Sequence, residues 1–407
     1  MKPGKTSLEQ ICLYALLTSL TALSIDAVLP ALRFIESDLQ VRPPLSTQHI
    51  VSLFIFGMVF GELLIGPLSD AIGRKKALVL GLAVYMAGTL VAMSAGSVEM
   101  VVFGRILQGI GVSGPKIATR ALIRDQFEGD AMARIMSFVF VLFILVPMLA
   151  PALGQLILAV SGWRAIFLVY LAMAVVLCAW LALRQPETLA PQSRIRLHLP
   201  TLLRNAGRVL RNRRVALLIV ATGLVFGAQL QYLSTAADVF FDVYGISGSF
   251  PAYFAALAAG IGLASLVNAG FVRRYGMQRM SGMALAGLAL LGALLTGVSL
   301  VDGGHPPLAA LMGLGFAIFF CIGILFGNLN AMAMLSLGQL AGLGASLIAS
   351  GSSLVAVVFS VAFGTFYDGT TTPLALGFAL AGLIALILVR LASRASLEPV
   401  EPIGRLV

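Results

Sequence analysis

Charged side chains are scarce in this chain: only 11% of its 407 residues are Asp, Glu, Lys or Arg, while 59% are hydrophobic. A soluble protein of this length needs roughly a quarter of its residues charged to cover its surface, so a soluble fold is excluded. The short alternating segments of a membrane β-barrel are missing too. Instead, apolar stretches of about 18 residues or more recur, and each can cross a ~30 Å hydrocarbon core as a helix.

Cysteine is equally rare, with three residues in the chain. Cys12, Cys178 and Cys321 all lie in apolar runs, so we interpret them as small buried hydrophobic residues without disulfide or metal spacing. Clustered catalytic side chains near a membrane interface are also missing, which argues against an enzyme. The composition therefore predicts no metal, no cofactor and no catalytic centre.

Twelve apolar runs predict twelve transmembrane helices. A polar segment at residues 184–213 divides them into two sets of six and is too short to form a catalytic domain. We predict an all-α polytopic membrane protein: a six-helix bundle at 1–183, a cytoplasmic linker with a short interfacial helix, and a second six-helix bundle at 214–407 around a central site. The predicted spans are 10–33, 47–69, 75–95, 99–122, 134–158, 163–183, 214–237, 250–272, 279–300, 307–329, 339–366 and 373–394.

The distribution of cations predicts the orientation. With both termini in the cytoplasm, 22 of the 27 lysines and arginines fall at inner ends or in inner loops, and three fall in outer loops. This is the split that the positive-inside rule requires, so the net charge of +10 reflects orientation and not nucleic-acid binding. The first apolar run is long and lacks a small-residue cleavage site, so we expect it to be retained as a helix.

Ionisable residues inside a span are costly and are functional candidates by default. Asp26 in the first span is expected to exchange a proton or contact substrate, because a desolvated carboxylate can trade a proton near neutral pH; the alternative is a structural partner for a cation. Arg105 in the fourth span would tune Asp26 or bind an anionic group, or serve only in structural pairing. Lys116 on the same helix either faces a cavity beside Gly114 and Pro115 or snorkels towards the inner end.

The polar intramembrane residues of the second half are uncharged, and they would either line a cavity with hydrogen-bonding groups or bridge helices. Asp238 and Asp242 are predicted to be solvated near the outer mouth. The predicted substrate contacts are Asp26, Lys116, Gln108, Gln229, Tyr232 and Asn328.

Glycines in the fourth span, Gly109-x-Gly111-x-x-Gly114, match the dinucleotide-binding fingerprint. The match is misleading, because the motif follows no strand and lies within an apolar span. Close packing of helices by small residues explains it.

Five short segments carry glycines, prolines and charges at fixed spacings. They are residues 66–76, Asp26-x-x-Leu29-Pro30, Arg105-x-x-Gln108-Gly109-x-Gly111, Ala150-Pro151-x-x-Gly154 and Gly162-Trp163-Arg164-x-x-Phe167. On these segments the chain resembles the major facilitator superfamily and, within it, the drug:proton antiporters of the bicyclomycin/chloramphenicol-resistance type. They are similar, in that order, to the family's loop between helices 2 and 3, its first-helix motif, its fourth-helix proton-transfer motif, its fifth-helix antiporter motif and its sixth-helix start.

The resemblance implies a proton-coupled secondary transporter that exports a drug or metabolite by alternating access. Its partners would be a small molecule, protons and the lipid bilayer, and it would work as a monomer in a bacterial inner membrane. Asp26 and Arg105 would couple the proton. Ala71, Ala150 and Gln155 depart from the family motifs, which leaves open a dedicated exporter or importer of one anionic or zwitterionic metabolite.

Residues 66–76 are predicted to form a gating turn between the second and third spans. Asp70 would face the N-terminal amides of a helix that starts near Gln339, a position that favours a carboxylate by ~0.3–1 kcal/mol. The family pattern implies that Arg74 reaches Asp125 at the inner end of the fourth span. The predicted gating residues, which would latch an outward-open state, are Gly66, Asp70, Gly73, Arg74 and Asp125.

Overall fold

A computed structural model gives the protein over residues 8–127, 129–194, 198–337 and 340–395. These residues form helices joined by short turns, and they contain no strand. The chain divides into two compact units, the first running to Leu199 and the second spanning Pro200–Arg405. The helices of the first unit are α1 (Leu8–Asp26), α2 (Leu32–Leu39), α3 (Gln48–Ile72), α4 (Arg74–Met93), α5 (Val98–Gln126), α6 (Gly129–Ser161) and α7 (Trp163–Arg184).

The second unit begins with a short helix, α8 (Leu199–Arg211), which carries arginines on one side and exposed leucines such as Leu203 and Leu210. The long helices of this unit are α9 (Arg213–Asp238), α10 (Phe250–Tyr275), α11 (Met277–Val301), α12 (Leu308–Met334), α13 (Ala341–Gly364) and α14 (Thr372–Arg394). The helix α8 lies where the sequence predicted an interfacial helix within the linker.

Ten stretches of the described chain are long and apolar enough to cross a membrane, one of them formed by α1 and α2 together. The helix α6 adds a shorter apolar part, Leu145–Ser161. The helix α5 spans 29 residues but carries several internal charges. Each of the twelve predicted spans therefore has a helix, and the prediction of an all-α fold with twelve membrane helices is confirmed.

The first span is broken in its middle, which the prediction of one helix over 10–33 missed. The helix α1 ends at Asp26, a 3-10 turn covers Leu29–Ala31, and α2 continues to Leu39. Pro30 has no N–H to donate to the carbonyl four residues earlier, which is that of Asp26. The chain tightens instead, and the Ala31 amide donates to the Val28 carbonyl at 2.9 Å.

The predicted turn at 66–76 is much shorter than expected. The helix α3 continues through Pro67 to Ile72, and α4 already begins at Arg74. Only Gly73 separates them, with φ +110°, a backbone conformation that residues with a Cβ rarely adopt. Gly66 therefore lies within α3 and not in the turn.

The helix α5 packs against both α3 and α4 at glycines. A Cβ on Gly57 would collide with the Ile106 carbonyl, and one on Gly109 with the Phe54 carbonyl. On the side of α4, a Cβ on Gly111 would lie 2.6 Å from the Gly81 carbonyl oxygen. The glycine motif of the fourth span is thus a helix-packing motif, as predicted.

Candidate functional site

Asp26 lies at the C-terminus of α1, where the first span breaks, and is only 4% exposed. No hydrogen bond or ion pair reaches its carboxyl group from the residues that the structure describes. The neighbouring α7 approaches through Tyr170, whose hydroxyl donates to the Leu23 carbonyl at 3.2 Å. On another side, α6 lies so close that a Cβ on Gly154 would collide with the Ala27 carbonyl. Asp26 is therefore a buried acid without a cation bound to it.

Arg105 of α5 is completely buried. Its Nε donates to the Ile50 carbonyl at 3.0 Å, its Nη1 donates to Gln108 Oε1 at 2.8 Å, and its guanidinium lies 4.2 Å from the centre of the Phe54 ring. Its Nη2 has no hydrogen-bond partner among the described residues. Neutral oxygens and a ring face therefore hold this charge, and a cation over an aromatic ring is itself favourable.

Asp26 and Arg105 are linked only indirectly. Tyr85 and Tyr170 both lie near Arg105, and Tyr170 lies near Asp26 as well. The Tyr85 hydroxyl shares a 2.6 Å hydrogen bond with the hydroxyl of Ser24, two residues before Asp26. The sequence prediction contained neither phenol, although a hydroxyl within an apolar span is a signal that could have identified both.

Gln108 was predicted to contact substrate, but both ends of its amide are used inside the first unit. Its Oε1 accepts from Arg105, and its Nε2 donates to Thr89 Oγ1 at 2.8 Å. Gln108 is fully buried. Gln108 thus holds the Arg105 side chain by a hydrogen bond, and its contact with substrate stays a prediction.

Lys116 pairs with a carboxylate that the sequence prediction missed. Its Nζ lies 2.5 Å from Oε1 of Glu62 on α3; the Glu62 side chain is fully buried, and that of Lys116 is 29% exposed. Arg120, one turn further along α5, also interacts electrostatically with Glu62. The signal was available, because Glu62 stands inside the predicted span 47–69, as Asp26 does in the first span. Lys116 therefore already has an anionic partner within the protein.

The predicted gating residues of the first unit come together around Arg74, which is 6% exposed. Its Nε donates to Asp125 Oδ2 at 2.8 Å, and its Nη1 donates to Ser69 Oγ at 3.0 Å and to Asp70 Oδ1. The Arg74 amide donates to Glu187 Oε1 at 2.8 Å, so a residue just after α7 caps α4. Arg74 thus contacts Asp125, the partner that the resemblance implied. The contact with Glu187 was not predicted.

The other half of the predicted latch is the contact of Asp70 with the eleventh span. The start of the eleventh span near Gln339 lies outside the described residues. Whether Asp70 faces that helix stays a prediction.

In the second unit, the amides of Asn268 and Asn328 bind each other. Asn328 Nδ2 donates to Asn268 Oδ1 at 2.8 Å, and Asn268 Nδ2 donates to Asn328 Oδ1 at 3.2 Å. This reciprocal pair joins α10 to α12, so Asn328 bridges helices. Of the two alternatives for these residues, the structure shows bridging here.

The predicted contacts Tyr232 and Gln229 lie on α9. Tyr232 is 4% exposed, stacks on Phe254 with ring centres 5.7 Å apart and meets the edge of Phe319 at 4.8 Å. Gln229 is half-buried, and its Oε1 has no hydrogen-bond partner among the described residues. At the end of α9, Asp238 is 9% exposed and so is not solvated as predicted.

Two sets of helices, with ionisable residues buried in α1, α3 and α5, are typical of a membrane transport protein. The described residues contain no group of potential metal ligands. The Major Facilitator Superfamily model matches residues 14–360, and the chain belongs to this family. It is a transporter and a multi-pass membrane protein, homologous to drug-efflux proteins.

Relatives named as resistance proteins match most of the chain. It is 29% identical over 378 residues to the bicyclomycin resistance protein homolog of Haemophilus influenzae, which covers 92% of this chain and 93% of the relative. It is 26% identical over 258 residues to multidrug resistance protein D of Escherichia coli, covering 60% of this chain and 64% of the relative.

Solved structures of transporters share the fold. A D-xylose-proton symporter superposes with a TM-score of 0.72 at 13% identity, covering 96% of this chain and 98% of the other. The human organic anion transporter MFSD10 gives a TM-score of 0.65 at 17% identity, covering 95% and 100%. At these identities the likeness concerns the fold alone.

Proposed function

We propose that the chain is a proton-coupled exporter of a small molecule, a drug or a metabolite, that works by alternating access. The observation that carries the proposal is the buried carboxyl group of Asp26 at the break in α1, which no hydrogen bond or ion pair reaches from the described residues. An ionised carboxylate without a partner is strongly disfavoured in such an environment, so the closed site holds Asp26 protonated. A conformation that admits water at the break releases the proton.

Arg105 is the second member of the proposed coupling site. It remains charged, and its Nη2 has no partner among the described residues. When Asp26 loses its proton, attraction between the new carboxylate and this guanidinium favours a rearrangement of the phenols between them. The state of the proton thereby changes the packing at the break, and the proton gradient supplies the energy.

Names of relatives support export of a drug, since they are described as bicyclomycin and multidrug resistance proteins. We further propose that the transporter lies in a bacterial inner membrane with both termini in the cytoplasm, because the cations predict that orientation. It acts as a monomer, catalyses no chemical reaction and needs no cofactor.

Vesicles with an imposed pH gradient test the proposal directly. Asp26→Asn is expected to abolish proton-driven uptake of bicyclomycin and the accompanying proton flux, because the amide cannot take up or release a proton at these pH values. The matched control is Asp302→Asn, which removes an exposed carboxylate in the turn after α11. Undiminished proton flux with Asp26→Asn would refute the coupling role, whatever the drug.

A second candidate function is the transport of one anionic or zwitterionic metabolite. The cluster of Glu62, Lys116 and Arg120 favours it, because one carboxylate and two cations can exchange partners with the amine and the carboxylate of a zwitterion. A thermal-shift screen of antibiotics against anionic and zwitterionic metabolites separates the two. Stabilisation by a zwitterion that Lys116→Gln removes, with no response to antibiotics, would favour the second function.

A further inference from the structure

A cavity of about 690 Å³ opens in the second unit, between the turn joining α10 to α11 and the last turns of α14. Its floor is apolar and includes Leu386 and Val389, both buried. Its polar wall consists of Gln278, Arg279, Arg390, Ser393 and Arg394.

The charge around this cavity is of one sign. Its three arginines are exposed. Among the described residues they have no ion-pair partner, and no acidic side chain of the described chain lines the cavity. Arg273 and Arg274 in the last turn of α10 add two more cations nearby. The described acidic residues of the second unit all lie near the opposite helix ends: Asp238, Asp242, Asp302 and Asp368.

From this geometry we infer that the cavity binds the phosphate headgroup of an anionic phospholipid. Planar guanidinium groups donate paired hydrogen bonds to phosphate oxygens, and three arginines line this cavity. The N-terminal amides of α11 add donors, because Gly276 offers no side chain to cap them. Basic pockets between transmembrane helices are a known form of headgroup site.

An apolar surface beside the cavity favours a lipid over free phosphate. On α14, Leu383, Ile387 and Leu391 are 49%, 49% and 37% exposed. Their spacing of four residues places them on one face of the helix, in a stripe that runs from the level of the cavity towards the middle of the span. Acyl chains can lie along this stripe while the phosphate meets the arginines.

The inference rests on the orientation proposed above, which makes the lipid one of the cytoplasmic leaflet. Its test needs no transport. A failed binding result is therefore distinguishable from a failure of the coupling role of Asp26.

Native mass spectrometry of the full chain, released from detergent after titration with phosphatidylglycerol or phosphatidylcholine, measures the binding. We expect retained phosphatidylglycerol, weak retention of phosphatidylcholine, and no displacement by millimolar inorganic phosphate. The triple variant Arg279→Gln/Arg390→Gln/Arg394→Gln should bind phosphatidylglycerol at least about tenfold more weakly, as the loss of a single charge-assisted hydrogen bond already would.

The matched control removes the same charge from exposed positions outside the cavity: Lys76→Gln/Arg124→Gln/Arg211→Gln. It should retain the lipid as the unmodified chain does. Equal loss in both triple variants, or displacement by inorganic phosphate, would overturn the inference. So would lipid binding that appears only after Glu398→Gln/Glu401→Gln, because the chain's own C-terminal segment would then be the occupant.

Discussion

Gly154→Ala tests whether the contact between α6 and the break in α1 holds Asp26 in place. A methyl group on Gly154 would collide with the Ala27 carbonyl oxygen and lie 2.8 Å from its carbon and 3.1 Å from the Ala27 Cα. Carbon atoms in contact prefer ~3.5–4.0 Å and the contact with the oxygen is shorter still, so one backbone must move by roughly 1 Å or more. We expect a loss of about 1–3 kcal/mol in the free energy of unfolding, as for other overpacked sites.

The control is Gly297→Ala on α11, where a Cβ would meet nothing within 4 Å. Alanine is favoured over glycine inside a helix by roughly 0.5–1 kcal/mol, so this variant should gain stability. Titration of both variants with SDS in mixed micelles measures the two free energies, and proton flux into vesicles measures coupling. Because Ala27 follows Asp26 directly, flux should fall with Gly154→Ala alone. A gain in stability and unchanged flux for both variants would refute the reasoning.

Two further predictions concern charged groups of the first unit. Lys116→Met leaves Glu62 buried without the cation it pairs with and should lower the free energy of unfolding by about 1–3 kcal/mol. The double variant Glu62→Gln/Lys116→Met should recover most of that loss. A double-mutant cycle measures the coupling between the two residues, and strictly additive losses would contradict the ion pair. Asp70→Asn removes one of the two carboxylates bound to Arg74 and should shift the resting population towards the inward-facing state without abolishing substrate binding. The labelling rate of a cysteine introduced at the cytoplasmic end of a helix reports that shift, and an unchanged rate would count against the latch.

The twelve spans were predictable because the bilayer demands long apolar helices, and hydropathy records that demand directly. The ends of the helices were harder to predict. Proline predicts that a helix is interrupted but not where helical geometry resumes, so the continuation of α2 to Leu39 was missed. Likewise, Gly66-Pro67 looked like a turn, yet Pro67 is tolerated inside α3 and only Gly73 leaves helical geometry.

The contacts between residues of the site were harder to predict than the residues themselves. Asp26, Arg105 and Lys116 could be selected because charge inside a span is rare. The contact between Lys116 and Glu62 depends on which faces of α3 and α5 meet, and glycines such as Gly57 set that by permitting close approach. A single sequence contains the glycines but not the register that they produce.

The two units differ in where their charged residues lie. In the long helices of the second unit the described charged residues lie near the helix ends, whereas the first unit carries Glu62, Arg105 and Lys116 well inside its helices. Each unit also has a buried carboxyl group at the end of its first long helix, and Asp26 of the first unit is 4% exposed against 9% for Asp238 of the second. The second unit offers amides and aromatic rings, and these bind by shape and neutral hydrogen bonds that do not change when a proton moves. Asn328 is paired with Asn268, whereas the side-chain oxygens of Gln229 and Gln231 have no hydrogen-bond partner among the described residues. A set of residues with few charged or hydrogen-bonding groups favours a transporter that accepts several uncharged molecules over one that binds a single anion.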